Sequence, residues 1–271
     1  MEQVISFPGL GLEFTIDRVA FYLGEKPVYW YGVIIAAGVV LAILYACRNA
    51  KRFGITQDNV LDCLIFALPI SIVTARLYYV LFSWDQYKDN LKEIVAIWHG
   101  GLAIYGGIIG AVLTVLVFAR VKKIRFGDLM DDASLGLLIG QSIGRWGNFM
   151  NGEAHGGLTD GLLRMNIGET IAEAGPMGYH PTFLYESLWN AAGFVILHRI
   201  SKKRRFSGET FLMYVAWYGL GRFVIEGMRT DSLYFFGTGI RISQLIGIVS
   251  FVAAGILIVY FRVRKKAEET A

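Results

Sequence analysis

Seven apolar runs, each long enough to cross a lipid bilayer, constrain this chain more than any other feature. A helix needs about 20 predominantly apolar residues to span the roughly 30 Å hydrocarbon core. Three runs contain no Asp, Glu, Lys, Arg or His: residues 28–47, 100–119 and 242–261. Four more have the right length but contain ionisable groups: residues 63–84, 133–152, 182–200 and 210–226. The sequence predicts an all-α polytopic membrane protein, with seven transmembrane helices in a single domain over residues 1–271.

The composition supports a membrane protein, and the placement of the basic residues predicts its orientation. Hydrophobic residues make up 55% of the chain and charged residues 18%, with a mean hydropathy of +0.48, whereas soluble domains average about 25% charged residues. Alternate connections hold 16 of the 26 Lys and Arg residues: 48–52, 120–125, 199–205 and 262–266. Because positive loops stay cytoplasmic, we expect the N-terminus outside and the C-terminus in the cytoplasm. The same clustering at a membrane surface argues against a nucleic-acid partner.

Two segments are then expected on the outer side. Residues 153–181, between spans four and five, are long and rich in glycine, and we expect them to form a small outer cap or loop. Residues 1–27 lack the apolar core of a signal peptide and are expected to form an outer-surface segment. Cys47 and Cys63 lie at the inner ends of their spans, where a disulfide is not expected, so we interpret both as packing residues.

Ionisable residues within or beside five spans fall on the outer side. They are Arg76, His99, Arg145, Glu186 and Arg222. Charges inside a bilayer are costly and usually face a polar cavity, although a single long side chain near a helix end can instead snorkel to the interface. The planar guanidinium of arginine matches phosphate and carboxylate groups. The residues alone therefore predict a membrane-embedded site for an anionic phospholipid, with His99 as a possible base near neutral pH.

The fourth span ends in a dense polar motif. Residues 144–156 read GRWGNFMNGEAHG, and three further pieces accompany them: His99-Gly100-Gly101, His180-Pro181-Thr182 with Leu184-Tyr185-Glu186, and Gly221-Arg222-Phe223 with Glu226 and Arg229. The motif resembles the G-R-x-G-N-F-x-N-x-E-x-x-G signature of the prolipoprotein diacylglyceryl transferases. The resemblance extends over most of the chain and is weakest over residues 1–27 and 157–179.

The resemblance implies an enzyme with two substrates. It would transfer the diacylglyceryl group of phosphatidylglycerol to the thiol of the lipobox cysteine in a prolipoprotein signal peptide, forming a thioether and releasing glycerol phosphate. This is the first step of bacterial lipoprotein maturation. The implied location is the bacterial cytoplasmic (inner) membrane, with the active site toward the outer face. No cofactor is implied, and no His, Asp and Glu cluster has the spacing of a metal site.

The resemblance and the chemistry together assign expected roles. The catalytic set would be His99 as base, Arg222 as the clamp on the leaving phosphate, and Tyr31. Phosphatidylglycerol would be bound by Arg145, Asn148, Asn151, Glu153 and Gly156. Supporting residues would be Arg76, Tyr185, Glu186, Glu226 and Arg229.

Two other functions compete with the transferase. A transporter or flippase of an anionic lipid or solute would place polar groups in both halves of the bilayer and often has internal repeats. We find no repeat, and the inner halves of the spans read as almost purely apolar. A signalling receptor would rest on the span count alone and would explain none of the charges.

Overall fold

The computed structural model describes residues 2–168, 177–230, 232, 234–235 and 238–270. Within these ranges it has seven α-helices: α1 Trp30–Asn49, α2 Gln57–Phe82, α3 Ile104–Val121, α4 Phe126–Asn151, α5 Thr182–Ser201, α6 Glu209–Glu226 and α7 Ile242–Thr270. Each overlaps one predicted span. Among the described residues, four segments are long and apolar enough to cross a membrane: Trp30–Phe53, Gln57–Phe82, Ile104–Val121 and Ile242–Glu268. The helix count and the membrane class therefore agree with the sequence, and the orientation stays a prediction.

Three helix starts differ from the predicted spans, because an uncharged run is not the same as a helix. α2 begins six residues before the predicted residue 63, since Thr56 caps it: the Thr56 hydroxyl accepts from the Asn59 N–H, and the Asn59 side chain accepts from the Thr56 N–H. α4 begins at Phe126 rather than at 133, and the residues added include three aspartates. α3 begins four residues late, because Gly100 and Gly101 have positive φ angles of 86° and 73°.

Seven short strands in the described part of the chain show that the all-α prediction is wrong in this respect. They are β1 Glu2–Phe7, β2 Leu12–Asp17, β3 Val19–Leu23, β4 Lys26–Tyr29, β5 Leu158–Thr159, β6 Asn166–Ile167 and β7 Gly178–Tyr179. All pairings are antiparallel: β2–β1–β6 form one sheet, and β3–β4 and β5–β7 form two-stranded ribbons. Counting apolar runs of about 20 residues cannot detect strands of two to six residues. Residues 169–176 of the expected cap lie outside the described residues.

The three-stranded sheet joins the N-terminal segment to the segment after α4. Its apolar core consists of Ile5, Phe7, Met165 and Ile167, packed against Phe183 at the start of α5. Phe149, near the end of α4, and Leu184 pack against the same core. Burying side chains of this size contributes about 1.5–3 kcal/mol each, so the sheet is anchored to the ends of α4 and α5.

The chain divides into two compact units, which we describe separately: Met1–Tyr45 with Ala133–Ala271, and Ala46–Asp132. In the larger unit, glycines allow close helix contacts. Gly136 of α4 lies against Ala42 of α1, and Gly219 of α6 meets Gly247 of α7 backbone to backbone. In the smaller unit, a Cβ on Gly110 of α3 would lie 2.0 Å from the Thr74 hydroxyl of α2. Helix packing through small residues is typical of membrane bundles.

Buried acids lie at the starts of α4 and α6, just before the runs predicted as spans. Asp131 and Asp132 of α4 are buried. Glu209 of α6 is likewise buried, and its Oε1 lies 2.6 Å from Nε of Arg262. Each acid neighbours a basic loop. These acids lie in the first two turns of their helices, which begin before the predicted spans.

Candidate active site

A buried glutamate at the start of α5 contacts three arginines in the larger unit. The Glu186 side chain is only 4% exposed. Its Oε2 contacts Nη2 of Arg145 on α4, and its Oε1 lies 3.4 Å from Nη1 of Arg222 on α6 and 3.3 Å from Nη1 of Arg229, which follows α6. We call Arg145, Arg222 and Arg229, together with Glu186, the arginine cluster. Three of the five ionisable residues that the sequence groups on the outer side, Arg145, Glu186 and Arg222, thus meet at the Glu186 carboxylate.

A second glutamate contacts the arginine cluster. Nη2 of Arg222 lies 2.5 Å from Oε2 of Glu226, one helical turn further along α6. Among the described residues, Glu186 and Glu226 thus pair with these arginines. Buried charges need partners, and these pairs provide them. The three arginine side chains are still 13–23% exposed.

The polar residues at the end of α4 form a chain of hydrogen bonds. Nη1 of Arg145 donates to Oδ1 of Asn148 at 3.4 Å. Nδ2 of Asn148 donates to Oε1 of Glu153 at 2.9 Å, and Nδ2 of Asn151 donates to the same oxygen at 3.4 Å. Gly152, with a φ of 69°, ends the helix in the left-handed conformation and turns the chain back so that Glu153 can reach both asparagines.

Gly156 and Tyr185 contact neighbouring backbone and side chains. The Gly156 N–H donates to the His180 carbonyl at 2.8 Å. The backbones of Gly156 and Arg229 form an isolated antiparallel β-bridge. A Cβ at this position would lie 2.6 Å from the Met228 carbonyl oxygen. Tyr185 Oη lies 3.3 Å from Nδ1 of His180. Gly156 thus permits the close backbone approach that holds Arg229 beside this segment.

Tyr31, near the start of α1, lies beside the same part of α4. A Cβ on Gly147 would lie 3.0 Å from its ring, so the tyrosine packs against Gly147 of α4. Its side chain is exposed. The ring is therefore held by packing while part of it remains accessible.

A small cavity extends from the arginine cluster between α5 and α6. Its lining consists of Glu186, Trp189, Asn190, Tyr218, Gly221, Arg222 and Ile225. The Trp189 and Trp217 rings stack with centroids 4.4 Å apart, and each indole N–H donates to the backbone carbonyl of the other residue at 3.0 Å. Asn190 is buried, and its Oδ1 has no hydrogen-bond partner. The cavity is therefore polar at the arginine cluster and at Asn190, and aromatic between them.

The sequence analysis missed these tryptophans and one further arginine. Both tryptophans precede a glycine by four residues, as Trp189–Gly193 and Trp217–Gly221, and that repeated spacing is a signal that could have paired α5 with α6. Arg241 donates from Nη1 to the Glu226 carbonyl at 2.5 Å. It lies just before the last span, on the side predicted to be outside, where the positive-inside rule makes a basic residue unexpected.

The other two predicted site residues, His99 and Arg76, lie in the smaller unit. Nδ1 of His99 is 2.8 Å from Oε2 of Glu93. Arg76 is buried, and its guanidinium donates to the carbonyls of Glu93, Ile94, Ala96, Gly100 and Gly101 at 2.5–3.5 Å. These five bonds use all five guanidinium donors. Arg76 therefore supports the loop between α2 and α3 and does not snorkel to an interface.

The long apolar helices indicate a membrane protein, and three of its arginines gather around one buried carboxylate. Residues 18–260 match the family model described as prolipoprotein diacylglyceryl transferase. Similar proteins named phosphatidylglycerol–prolipoprotein diacylglyceryl transferase occur in Listeria welshimeri, Limosilactobacillus reuteri and Bacillus velezensis, at 50%, 48% and 46% identity. The matches cover 92–94% of this chain and 91–95% of those relatives. The chain belongs to the prolipoprotein diacylglyceryl transferase family. The predicted family and enzyme class are thereby confirmed, and the protein is a transferase of lipoprotein biosynthesis.

Proposed function

We propose that the arginine cluster binds the phosphate of phosphatidylglycerol and stabilises it as the leaving group. The observation that carries this proposal is the meeting of three guanidiniums from separate chain segments around one buried carboxylate. Glu186 balances part of their charge and fixes their directions. An incoming phosphodiester then finds preorganised donors, and preorganised charge lowers barriers most effectively where negative charge develops.

The reaction forms one bond and breaks one at the same carbon. The thiolate sulfur of the lipobox cysteine attacks the sn-3 carbon of the diacylglyceryl group, and a C–S bond forms. The bond from that carbon to the phosphodiester oxygen breaks, and its electron pair stays on the departing glycerol phosphate. The negative charge therefore grows on the phosphate, beside Arg222 and Arg145. Neither cysteine of this chain takes part, since the nucleophile belongs to the peptide.

The remaining site residues are assigned supporting tasks. Asn148, Asn151 and Glu153 offer amide and carboxylate groups to the glycerol hydroxyls of the headgroup, while Tyr31 offers its hydroxyl from the neighbouring helix. His99 takes the thiol proton. Cysteine has an ordinary pKa of about 8.5, so only a small fraction is thiolate at neutral pH and a base raises it.

The same proposal includes the location of the site. Strong basic bias in alternate connections places the opposite helix ends, with the arginine cluster and the strands, at the outer face of the bacterial cytoplasmic membrane. A secreted prolipoprotein presents its lipobox cysteine at that face. The segment over residues 153–181 and the N-terminal strands would then form the outer cap above the lipid site.

The test is formation of a diacylglyceryl adduct. Purified protein in detergent is given phosphatidylglycerol and a short peptide with a lipobox cysteine, and the peptide mass is followed over time. Arg145→Ala should abolish the adduct, and a peptide with serine in place of cysteine should gain no mass. Arg264→Ala is the matched control, because Arg264 is an exposed arginine paired with Glu268 on the same helix and outside the site.

The outcomes separate the transferase from a transporter or flippase. An adduct that requires both the peptide thiol and Arg145 supports the proposal. If Arg145→Ala forms adduct at the wild-type rate, the arginine cluster does not hold the reacting phosphate. If the protein moves phosphatidylglycerol between the leaflets of a vesicle but never modifies the peptide, the competing function is the correct one.

A further inference from the structure

The loop between α2 and α3 places a carboxylate directly on one nitrogen of His99. Two short 3-10 turns, Leu91–Val95 and Ile97–His99, bring Oε2 of Glu93 to 2.8 Å from Nδ1 of His99. The side chain of His99 is 60% exposed and that of Glu93 is 40% exposed. A hydrogen bond at Nδ1 selects the tautomer of a neutral imidazole, so the Nε2 lone pair is left to accept a proton.

Arg76 fixes the geometry of this pair from beneath. Its five hydrogen bonds hold the carbonyls of Glu93 itself and of Gly100, which directly follows His99. The guanidinium also lies over the Tyr87 ring, 5.0 Å from its centroid. A Cβ on Gly101 would lie 2.4 Å from Nη1 of Arg76, so the second glycine of the His-Gly-Gly motif is what lets the guanidinium approach. One buried side chain thus determines the separation of Glu93 and His99.

The charged group that contacts His99 comes from the same loop. Among the described residues of the smaller unit, Glu93 supplies the charged group in direct contact with His99, and Trp98 supplies the neighbouring ring. Arg76 approaches only the backbone on either side of the pair. The state of His99 is therefore coupled to one carboxylate.

We infer that Glu93 is a positioning residue for His99, acting through Nδ1 in the transfer reaction. This inference rests on the proposed role of His99 as the base. Glu93 accepts the Nδ1–H bond and holds Nε2 toward the peptide thiol. When the S–H proton moves to Nε2, the imidazole becomes an imidazolium, which the Glu93 carboxylate stabilises while remaining ionised itself. The proton leaves Nε2 with the released glycerol phosphate or with water.

The experiment compares variants of the intact protein in the adduct assay, with phosphatidylglycerol and the lipobox peptide. Glu93→Gln should lower kcat roughly three- to tenfold at neutral pH with little change in KM, as expected for one partly exposed charge-assisted hydrogen bond. The pH–rate profile of this variant is recorded beside that of the wild type. Glu93→Asp should recover most of the rate. Asp85→Asn, which removes an exposed carboxylate of the same loop, should match the wild type.

A double variant distinguishes the failure of this inference from the failure of the proposed function. If Glu93 acts through His99, Glu93→Gln added to His99→Gln should cause no further loss. A wild-type rate and profile in Glu93→Gln, with a slow His99→Gln, would overturn the positioning role and leave the base role intact. A wild-type rate in His99→Gln would overturn the base role and this inference with it. A loss in Glu93→Gln that appears only in KM, or only as lowered thermal stability, would also overturn it.

Discussion

Replacing Glu186 with glutamine removes the negative charge shared by three arginines and leaves the side-chain volume almost unchanged. The Glu186 side chain is 4% exposed, so in the glutamine variant water cannot take the place of the lost carboxylate charge beside the arginines. Arg222 keeps Glu226 as a partner, whereas the contacts of Arg145 and Arg229 with Glu186 lose their charge. We expect Glu186→Gln to fold less stably and to bind anions more tightly than the wild type.

The size of the effect follows from the burial. Removing one partner of a buried ion pair costs about 3–5 kcal/mol, and the partial exposure of the three arginines favours the lower end of that range. For a chain of this size, about 1 kcal/mol corresponds to roughly 2–4 °C in Tm, so the fall should be about 6–12 °C. Adding sn-glycerol phosphate should raise the Tm of the variant more than that of the wild type, because the anion restores the missing charge.

Thermal unfolding in detergent, with and without glycerol phosphate, measures both effects. Glu268→Gln is the matched control, since it makes the same substitution in an ion pair with Arg264 that is 63% exposed on both sides. Surface pairs contribute about 0–1 kcal/mol, so its Tm should hardly change. Equal Tm values for Glu186→Gln and the wild type, or equal stabilisation of the two by the anion, would refute the view that Glu186 stands in for a bound anion.

Three further predictions concern packing, the loop and the leaving group. Gly221→Ala should lower Tm, because overpacking by a Cβ 2.3 Å from the Trp189 ring costs about 1–3 kcal/mol, whereas Gly255→Ala, with open space around it, should not. Arg76→Lys should increase hydrogen exchange across residues 93–101, because an ammonium has three donors for five carbonyls; unchanged protection would contradict the role given to Arg76. Arg222→Ala should lower kcat by about 10²–10³, as for other oxyanion stabilisers, and a rise in KM at constant kcat would limit Arg222 to lipid binding.

The positions of the helices were predictable from hydropathy, since membrane spans are defined by length and polarity alone. The charges within those spans also predicted one real contact set, Arg145 with Glu186 and Arg222, because each must find a partner in an apolar bundle. Both arguments use only the length, polarity and charge of sequence segments, so neither requires knowledge of the tertiary fold.

What the sequence could not supply depends on contacts between distant segments. The sheet that joins β1 to β6 brings residues about 160 positions apart into register, and no local pattern encodes that pairing. Glu93 was overlooked for a related reason. It lies six residues before His99 in a loop without regular periodicity, and only the two 3-10 turns held by Arg76 bring it to Nδ1.

The pairing of β1 with β6 also has a consequence for synthesis. Residues 2–7 leave the ribosome long before their partner strand at residues 166–167, which emerges only after α4 has been made. Meanwhile β1 has only its hairpin partner β2, and Ile5 and Phe7 lack the apolar surface of Met165 and Phe183 that covers them in the finished fold. β1 therefore waits for its second partner strand through the synthesis of four helices, so a bulky fusion placed just before β1 should slow maturation of the protein more than one placed after α7.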